Sequence, residues 1–597
     1  MRFPRLQELQ RYRDMTTVFG GYNHQISCDE GQFFDMKNMT SKYFPILSPR
    51  QKRGIVKSFV NPQGILDKED LWWIDDKALY KNGERIELEG VRFNDISPKT
   101  MAKMGAYIIV MPDKIWIKAN DDEELECGYM ENIVEYEKGT EIKFSICDEY
   151  GRAITWHDAD YYKIEQAKDG DYMMSVNANG KPSLKVYSAS TGIWMSVIST
   201  YTQISALGIG KGFEKEDGVK ITTNINTDSL DNIFVNVEDD GEHYSINTYI
   251  VDRTDDAITI PGIYNGRLEA FTEMELLVER KTPEMAYITE CNNRLWGCSK
   301  DGHEIYASKL GDVKNWNCFR GNAMDSWAAT IGSDGKFTGA ITFLGYPMFF
   351  KEDSLIKIGV SAIGGHQTKE TMCRGVQDGS SGSLSILNEI LYYKSNSGVC
   401  AYNGSLPYSI SDNFGDVNYY DAVGGALGDK YYISMRDKNN EYSLFVYDSK
   451  NGIWCKEDNT QAIVFSRHKD DLYYIDAKDK MMKSVGGTLL FDSTETEDIF
   501  NWYVESGAIG YSSPDNKYVG RINIRITLEF GTNVDFYIQY DSMGEWEHKF
   551  NMSGTGTRTY SIPLIPKRCD HFKYKIKGNG ICKIHSITKT IEEGSDS

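Results

Sequence analysis

One unit keeps returning in this chain: an aromatic-rich strand-like run, a polar turn, then a second strand-like run. It occurs at residues 70–80, 106–116, 294–298 with 304–308, 346–350 with 355–358, 389–393 with 398–402, 430–434 with 443–448, and 471–476. Two copies precede residue 120 and five follow residue 284. The later copies are spaced by roughly 35–50 residues, the period of propeller blades. No single unit has enough strands to close its own core. A shared radial core therefore explains the repeat better than a string of separate sandwiches. Several units end on an aromatic after a tight turn, as in Asn451-Gly452-Ile453-Trp454. A propeller places such side chains between adjacent blades. The 38 Tyr and 54 Gly against 14 Pro suit strands and tight turns. No helix of more than about two or three turns is expected. The predicted fold class is all-β: a β-propeller of roughly six to eight blades, with an inserted β-rich domain and a C-terminal β-sandwich.

Near the C-terminus the pattern changes to strict alternation. Phe572, Tyr574 and Ile576 share one face, and Lys573, Lys575 and Lys577 the other. Residues 521–528 and 534–540 repeat it, the latter closed by Asp541-Ser542-Met543-Gly544. Period-two alternation marks strands with one buried and one wet face. The middle differs in charge. Residues 121–280 carry 32 Asp and Glu against 13 Lys and Arg, nearly all of the chain's net −21. It is β-patterned too, and reads as a domain inserted between blades. The expected division is an N-terminal extended segment (1–50), first blades (51–120), an acidic insertion (121–283), remaining blades (284–494) and a C-terminal sandwich (495–597). Residues 496–504 read as a short linker into that sandwich.

The residues exclude several chemistries. There is no run of about 18 apolar residues for a membrane helix, and the first residues lack the apolar segment of a secretory signal. Eleven Cys and nine His are scattered without metal-ligand spacing. The Cys read as small buried hydrophobes in a reducing compartment. Gly208-Ile209-Gly210-Lys211-Gly212 lacks the spacing of a phosphate loop. No catalytic residue, cofactor or metal is expected, and the chain is read as non-enzymatic. Asp121, Asp122, Glu123 and Glu124, like Glu238-Asp239-Asp240, read as solvated acidic surface rather than a Ca²⁺ loop. Asp541, Glu545 and Trp546 are the candidate sugar contact, since an indole stacks on a ring and carboxylates take hydroxyls. Edge packing of the Trp is the plainer alternative.

Two parts of the chain resemble a known group. The first is Thr17-Val18-Phe19-Gly20-Gly21-Tyr22-Asn23-His24, running through residues 31–40 and 43–50. The second is Pro566-Lys567-Arg568-Cys569-Asp570-His571, with Gly507-Ala508-Ile509-Gly510 upstream. Both resemble structural proteins of tailed bacteriophages and prophages, of the packaged-DNA stabilisation or tail-nozzle group. The resemblance implies a homo-oligomeric ring of β-propellers, hexameric in the family, below the portal and head–tail adaptor. Such a ring lines the DNA exit channel, holds the genome in and releases it at infection. Implied partners are the adaptor, tail spike, needle or fibre proteins, and passing DNA without sequence-specific binding. The implied location is the virion tail, after assembly in the host bacterial cytoplasm. The alternative is a tail-associated receptor- or glycan-binding protein, with or without polysaccharide-degrading activity. The acidic insertion departs from the smaller members of the group and is expected to project outward.

Overall fold

The computed structural model describes residues 10–119, 125–224, 238–239, 243–264, 269–360, 365–510 and 516–593. Seven four-stranded antiparallel sheets form the blades of a β-propeller. Blade 1 is Pro62–Lys68, Asp70–Asp75, Ala78–Lys81 and Glu84–Ile86. Blade 2 runs from Thr100–Met104 through Tyr107–Met111 and Ile115–Lys118 to Glu126–Tyr129. Blades 3, 4, 5 and 6 begin at Met285–Cys291, Gly339–Phe343, Ser385–Leu387 and Tyr419–Leu427. Blade 7 takes Ala462–His468, Asp471–Asp476 and Met481–Ser484. Its fourth strand is Gly54–Ser58, which lies before blade 1 in sequence and pairs antiparallel with Met481–Ser484. First strands of successive blades lie side by side, with the short Ser381–Ser383 turn bridging blades 4 and 5 and blade 7 meeting blade 1.

The repeated aromatic runs are the second strands of the blades. Asp471–Asp476 is buried throughout, and Asp70–Asp75 and Ile390–Ser395 in all but the first residue. Alternation sends neighbours to opposite faces, and in a propeller both faces are covered. Trp72 packs with Ile108, Val110 and Ile115 of blade 2. Trp73 packs the other way, with Tyr473, Ile475 and Met482 of blade 7. Tight turns join these strands. Asp76 and Lys77 (φ 47° and 64°) and Asn292 and Asn293 (φ 53° and 58°) lie in the left-handed pairs that match the twist of a hairpin.

Between blades 2 and 3 sits the insertion. Two five-stranded sheets enclose Ile142, Phe144, Ile204, Ile221, Ile258 and Leu276. A small four-stranded sheet, from Trp156–Asp158 to Ile193–Ser196, is attached. The acidic block expected from residue 121 thus begins within blade 2, whose last strand is Glu126–Tyr129. Part of the insertion's acid faces the propeller: Glu214 pairs with Lys314 at 2.7 Å, and Glu216 with Arg320 at 2.5 Å.

The C-terminal sandwich recruits the N-terminus. Its first sheet holds Gln10–Thr16, Cys582–Glu593, Lys517–Leu528, Gly556–Pro563 and Arg568–Cys569. Its second orders Gly21–Tyr22, Gln32–Lys37, Asn501–Ser506, Phe572–Asn579, Asn533–Tyr540 and Glu547–Ser553. So residues 10–37 supply three strands of this module rather than a separate extended arm, and Met39–Thr40 pairs with Ser48–Pro49 in a small sheet of its own. The expected linker at 496–504 contains a central strand. Between sandwich and blades lies a buried ionic cluster. Arg53 reaches Glu457 at 2.6 Å and Asp458 at 2.8 Å, and Arg50 reaches Asp458 at 3.2 Å and Glu497.

Candidate functional site

Alternation in the sandwich buries Phe572, Tyr574, Ile576, Val534, Phe536, Ile538, Trp502 and Val504 in one core. The intervening residues stand on the outer face of the six-stranded sheet. Strand register lines them up. One row reads Asp35, Glu505, Lys575, Tyr537, His548. The next reads Lys37, Tyr503, Lys577, Asp535, Asn551. All ten are half-buried or exposed.

Polar groups on this face hold one another in place. The Tyr503 hydroxyl donates to Asp35 Oδ2 at 2.6 Å, and Lys575 pairs with Glu505 at 3.2 Å. Asp535 Oδ1 accepts from Asn551 Nδ2 at 2.8 Å and faces His548 Nε2 at 2.9 Å. The Lys575 ammonium stands 4.7 Å from the centre of the Tyr503 ring and 5.4 Å from that of Trp546. Burial, and then the Asp35 carboxylate, push the Tyr503 phenol up from its ordinary value. It stays a neutral donor across the physiological range. The face therefore offers flat apolar rings set among fixed carboxylates, amides and ammonium groups. A pyranose presents the complement, a C–H face bordered by hydroxyls that donate and accept.

At the end of this sheet the Asp541 turn is built by backbone. Met543 N–H donates to Tyr540 O at 3.1 Å, and Asp541 and Ser542 both take left-handed φ, 53° and 51°. Asp541 N–H donates to His571 O at 2.9 Å. The Asp541 carboxylate accepts from Asp570 N at 2.7 Å and His571 N at 3.3 Å. Of the three residues read from sequence as a sugar contact, Asp541 thus spends its carboxylate on the neighbouring turn. Glu545 is exposed, and Trp546 is half-buried beside Lys575. The structure brings Trp546, but not Asp541, to the aromatic face. Tyr503, Tyr537, Asp535 and Lys575 were missed as site residues, although the Lys573, Lys575, Lys577 alternation pointed to this face. Asp121, Asp122, Glu123 and Glu124 lie outside the described residues.

No family model matches the sequence, and no curated protein matches it. Solved structures similar to the chain include a Phanerochaete chrysosporium exo-β-1,3-galactanase with galactose, at 9% identity and a TM-score of 0.22, covering 52% of this chain and 96% of that one. TolB from Acinetobacter baumannii matches at 10% identity and a TM-score of 0.20, covering 55% and 80%. A Bacillus subtilis family 43 arabinoxylan arabinofuranohydrolase in complex with cellotetraose matches at 8% identity and a TM-score of 0.15, covering 71% and 96%. The expectation of a non-enzymatic chain is corrected on this finding, because glycoside hydrolases stand among the similar structures. At these scores the likeness assigns neither an activity nor a substrate.

Proposed function

We propose that the chain is a glycan-binding protein of a tailed-phage particle, contacting a cell-surface polysaccharide through the outer face of its C-terminal sandwich. The observation that carries this reading is the face on which register aligns Tyr503 and Tyr537 among Asp535, Glu505, Lys575 and Lys577, with the Trp546 ring brought beside Lys575. The two segments that resemble phage tail proteins support the particle assignment. They are far apart in sequence, yet both contribute strands to the sandwich, Gly21–Tyr22 and Gln32–Lys37 to one sheet and Arg568–Cys569 to the other. Retention of the purified chain on immobilised bacterial surface polysaccharides tests the proposal. Tyr503→Ala with Trp546→Ala weakens binding by about 1–3 kcal/mol, roughly 5- to 150-fold, if each ring contributes as a stacking anchor does. Equal retention of wild type and double variant, with both folded, sinks it.

A second reading is a tail-nozzle subunit in a closed ring that lines the DNA exit channel between adaptor and tail tip. It is favoured by residues 17–50, which carry the resemblance and tie the sandwich to the propeller through Arg50. Negative-stain images of rings with a hole about as wide as a DNA duplex support it. Monomers or trimers that retain polysaccharide support the first reading.

A further inference from the structure

The Asp541 turn sets three side chains in a line. Ser542 Oγ lies 2.7 Å from His571 Nε2, and His571 Nδ1 lies 2.9 Å from Asp570 Oδ2. Ser542 is exposed, whereas His571 is only 8% exposed. We propose that Ser542, His571 and Asp570 form a serine acyl-hydrolase site for an ester carried on a glycan. The glycan part of this assignment rests on the binding reading above, since the turn borders the same face.

The geometry is that of a nucleophile, a base in hydrogen-bond reach, and a carboxylate on the base's other nitrogen. Those roles are recognised by geometry, not by order in the chain. The backbone fixes the arrangement. Three hydrogen bonds clamp the turn to residues 570 and 571: Asp541 N–H to His571 O, and Asp570 and His571 N–H to the Asp541 carboxylate. Asp541 and Ser542 form the same left-handed pair as the blade turns, and the clamp fixes it with the Ser542 hydroxyl presented to solvent. A hydrogen bond from a serine to a histidine does not by itself require such a turn.

With Nδ1–H donated to Asp570, Nε2 is the acceptor. It takes the Ser542 proton as Oγ bonds to the ester carbonyl carbon. The tetrahedral adduct collapses, the carbon–oxygen bond to the alcohol breaks, and His571 gives that proton to the departing oxygen. The acyl group is left on Ser542. Water then attacks it, losing a proton to Nε2; the acid departs and Oγ regains the proton. Ester and water become acid and alcohol, with no other reactant. Asp570 is a positioning residue. Its side chain is 56% exposed, so its effect is smaller than that of the other two.

The test uses the full chain. A fluorophosphonate probe, located by peptide mass mapping, is expected on Ser542, with p-nitrophenyl acetate hydrolysed above background. Ser542→Gly abolishes both. Glycine suits the left-handed φ, so thermal stability is unchanged or higher and misfolding is not the explanation. His571→Gln lowers the rate at least about 100-fold. Asp570→Asn lowers kcat several-fold at unchanged KM, and Asp570→Glu restores part of it. No label on Ser542 in the folded protein, or equal hydrolysis by wild type and Ser542→Gly, overturns the site. A labelled Ser542 that releases no acetate from an O-acetylated polysaccharide the protein retains overturns the glycan-ester substrate. Label without retention overturns the binding reading alone.

Discussion

Blades and sandwich both alternate, to opposite effect. In a blade, neighbours such as Trp72 and Trp73 enter two different cores, one shared with blade 2 and one with blade 7. Neither face is left for solvent. In the sandwich, Tyr574 enters the core while Lys573 and Lys575 stay outside. The propeller therefore spends its faces on closure, and the sandwich keeps one open to solvent. A substitution on a blade's second strand should disturb the fold, and one on the sandwich's outer face should disturb binding.

The largest expected effect tests that contrast directly. Trp73→Ala removes a ring with no exposed surface from the joint between the first and last blades. Deleting a buried indole costs about 3–5 kcal/mol. Lys577→Ala, on the exposed face, is expected within about 0.5 kcal/mol of wild type. Denaturant unfolding of both variants checks this. Similar losses at the two positions would break the comparison.

What the sequence revealed follows the same line. The seven second strands were legible because each is a short apolar run carrying at least one aromatic, as residues 471–476 and 390–395 do. The lysine alternation at 573–577 marked the sandwich. Gly54–Ser58 was not legible as the last blade's outer strand, because its partner Met481–Ser484 lies more than 400 residues away. Gln10–Thr16 was missed for the same reason: among the described residues it pairs with Cys582–Glu593. At the site, local turn chemistry pointed to Asp541 and Trp546. The Ser542, His571 and Asp570 line depends on backbone clamps across a separation of 29 residues, which no local pattern encodes.

The ionic cluster joining the two regions is the next way to sharpen the contrast. Arg53 is 3% exposed at its side chain and bonds Glu457, Asp458, Thr460 Oγ1 and the Tyr474 hydroxyl. Arg53→Met removes the nearer cation and leaves Glu457 and Asp458 to Arg50, at 3.8 Å and 3.2 Å, at a cost of about 3 kcal/mol. Burial alone would raise the Asp458 carboxyl, but Arg53 and Arg50 outweigh it and hold it below the usual carboxylate range. A depressed folded pKa stabilises above the unfolded value near 4 and is lost as pH falls below it. Wild type should lose on the order of 2 kcal/mol more than Asp458→Asn on that acid limb. Parallel acid limbs would show that the cluster does not couple folding to protons.

The smallest effect lies within one blade. Lys394, on the second strand of blade 5, is 2% exposed. Its ammonium donates to Gln377 Oε1 at 3.1 Å and Ser395 O at 2.5 Å, and burial pushes its pKa down to about 8. As at Asp458 the folded pKa lies below the unfolded one and the slope has the same sign, but here burial disfavours the charged form instead of neighbouring charges favouring it. Below pH 8 both states carry the proton and the burial penalty is complete. Between pH 8 and the unfolded value near 10.4, the unfolded chain holds the proton that the folded one has released, so stability rises with pH. Lys394→Met has no such slope. From pH 8 to 9.5, below the range where unfolded tyrosines ionise, wild type should gain about 2 kcal/mol at most over Lys394→Met. Chemical denaturation at closely spaced pH values reads the difference. A flat difference would place Lys394 in contact with water, and would mean that blade 5 does not close both of its faces as blades 1 and 7 do.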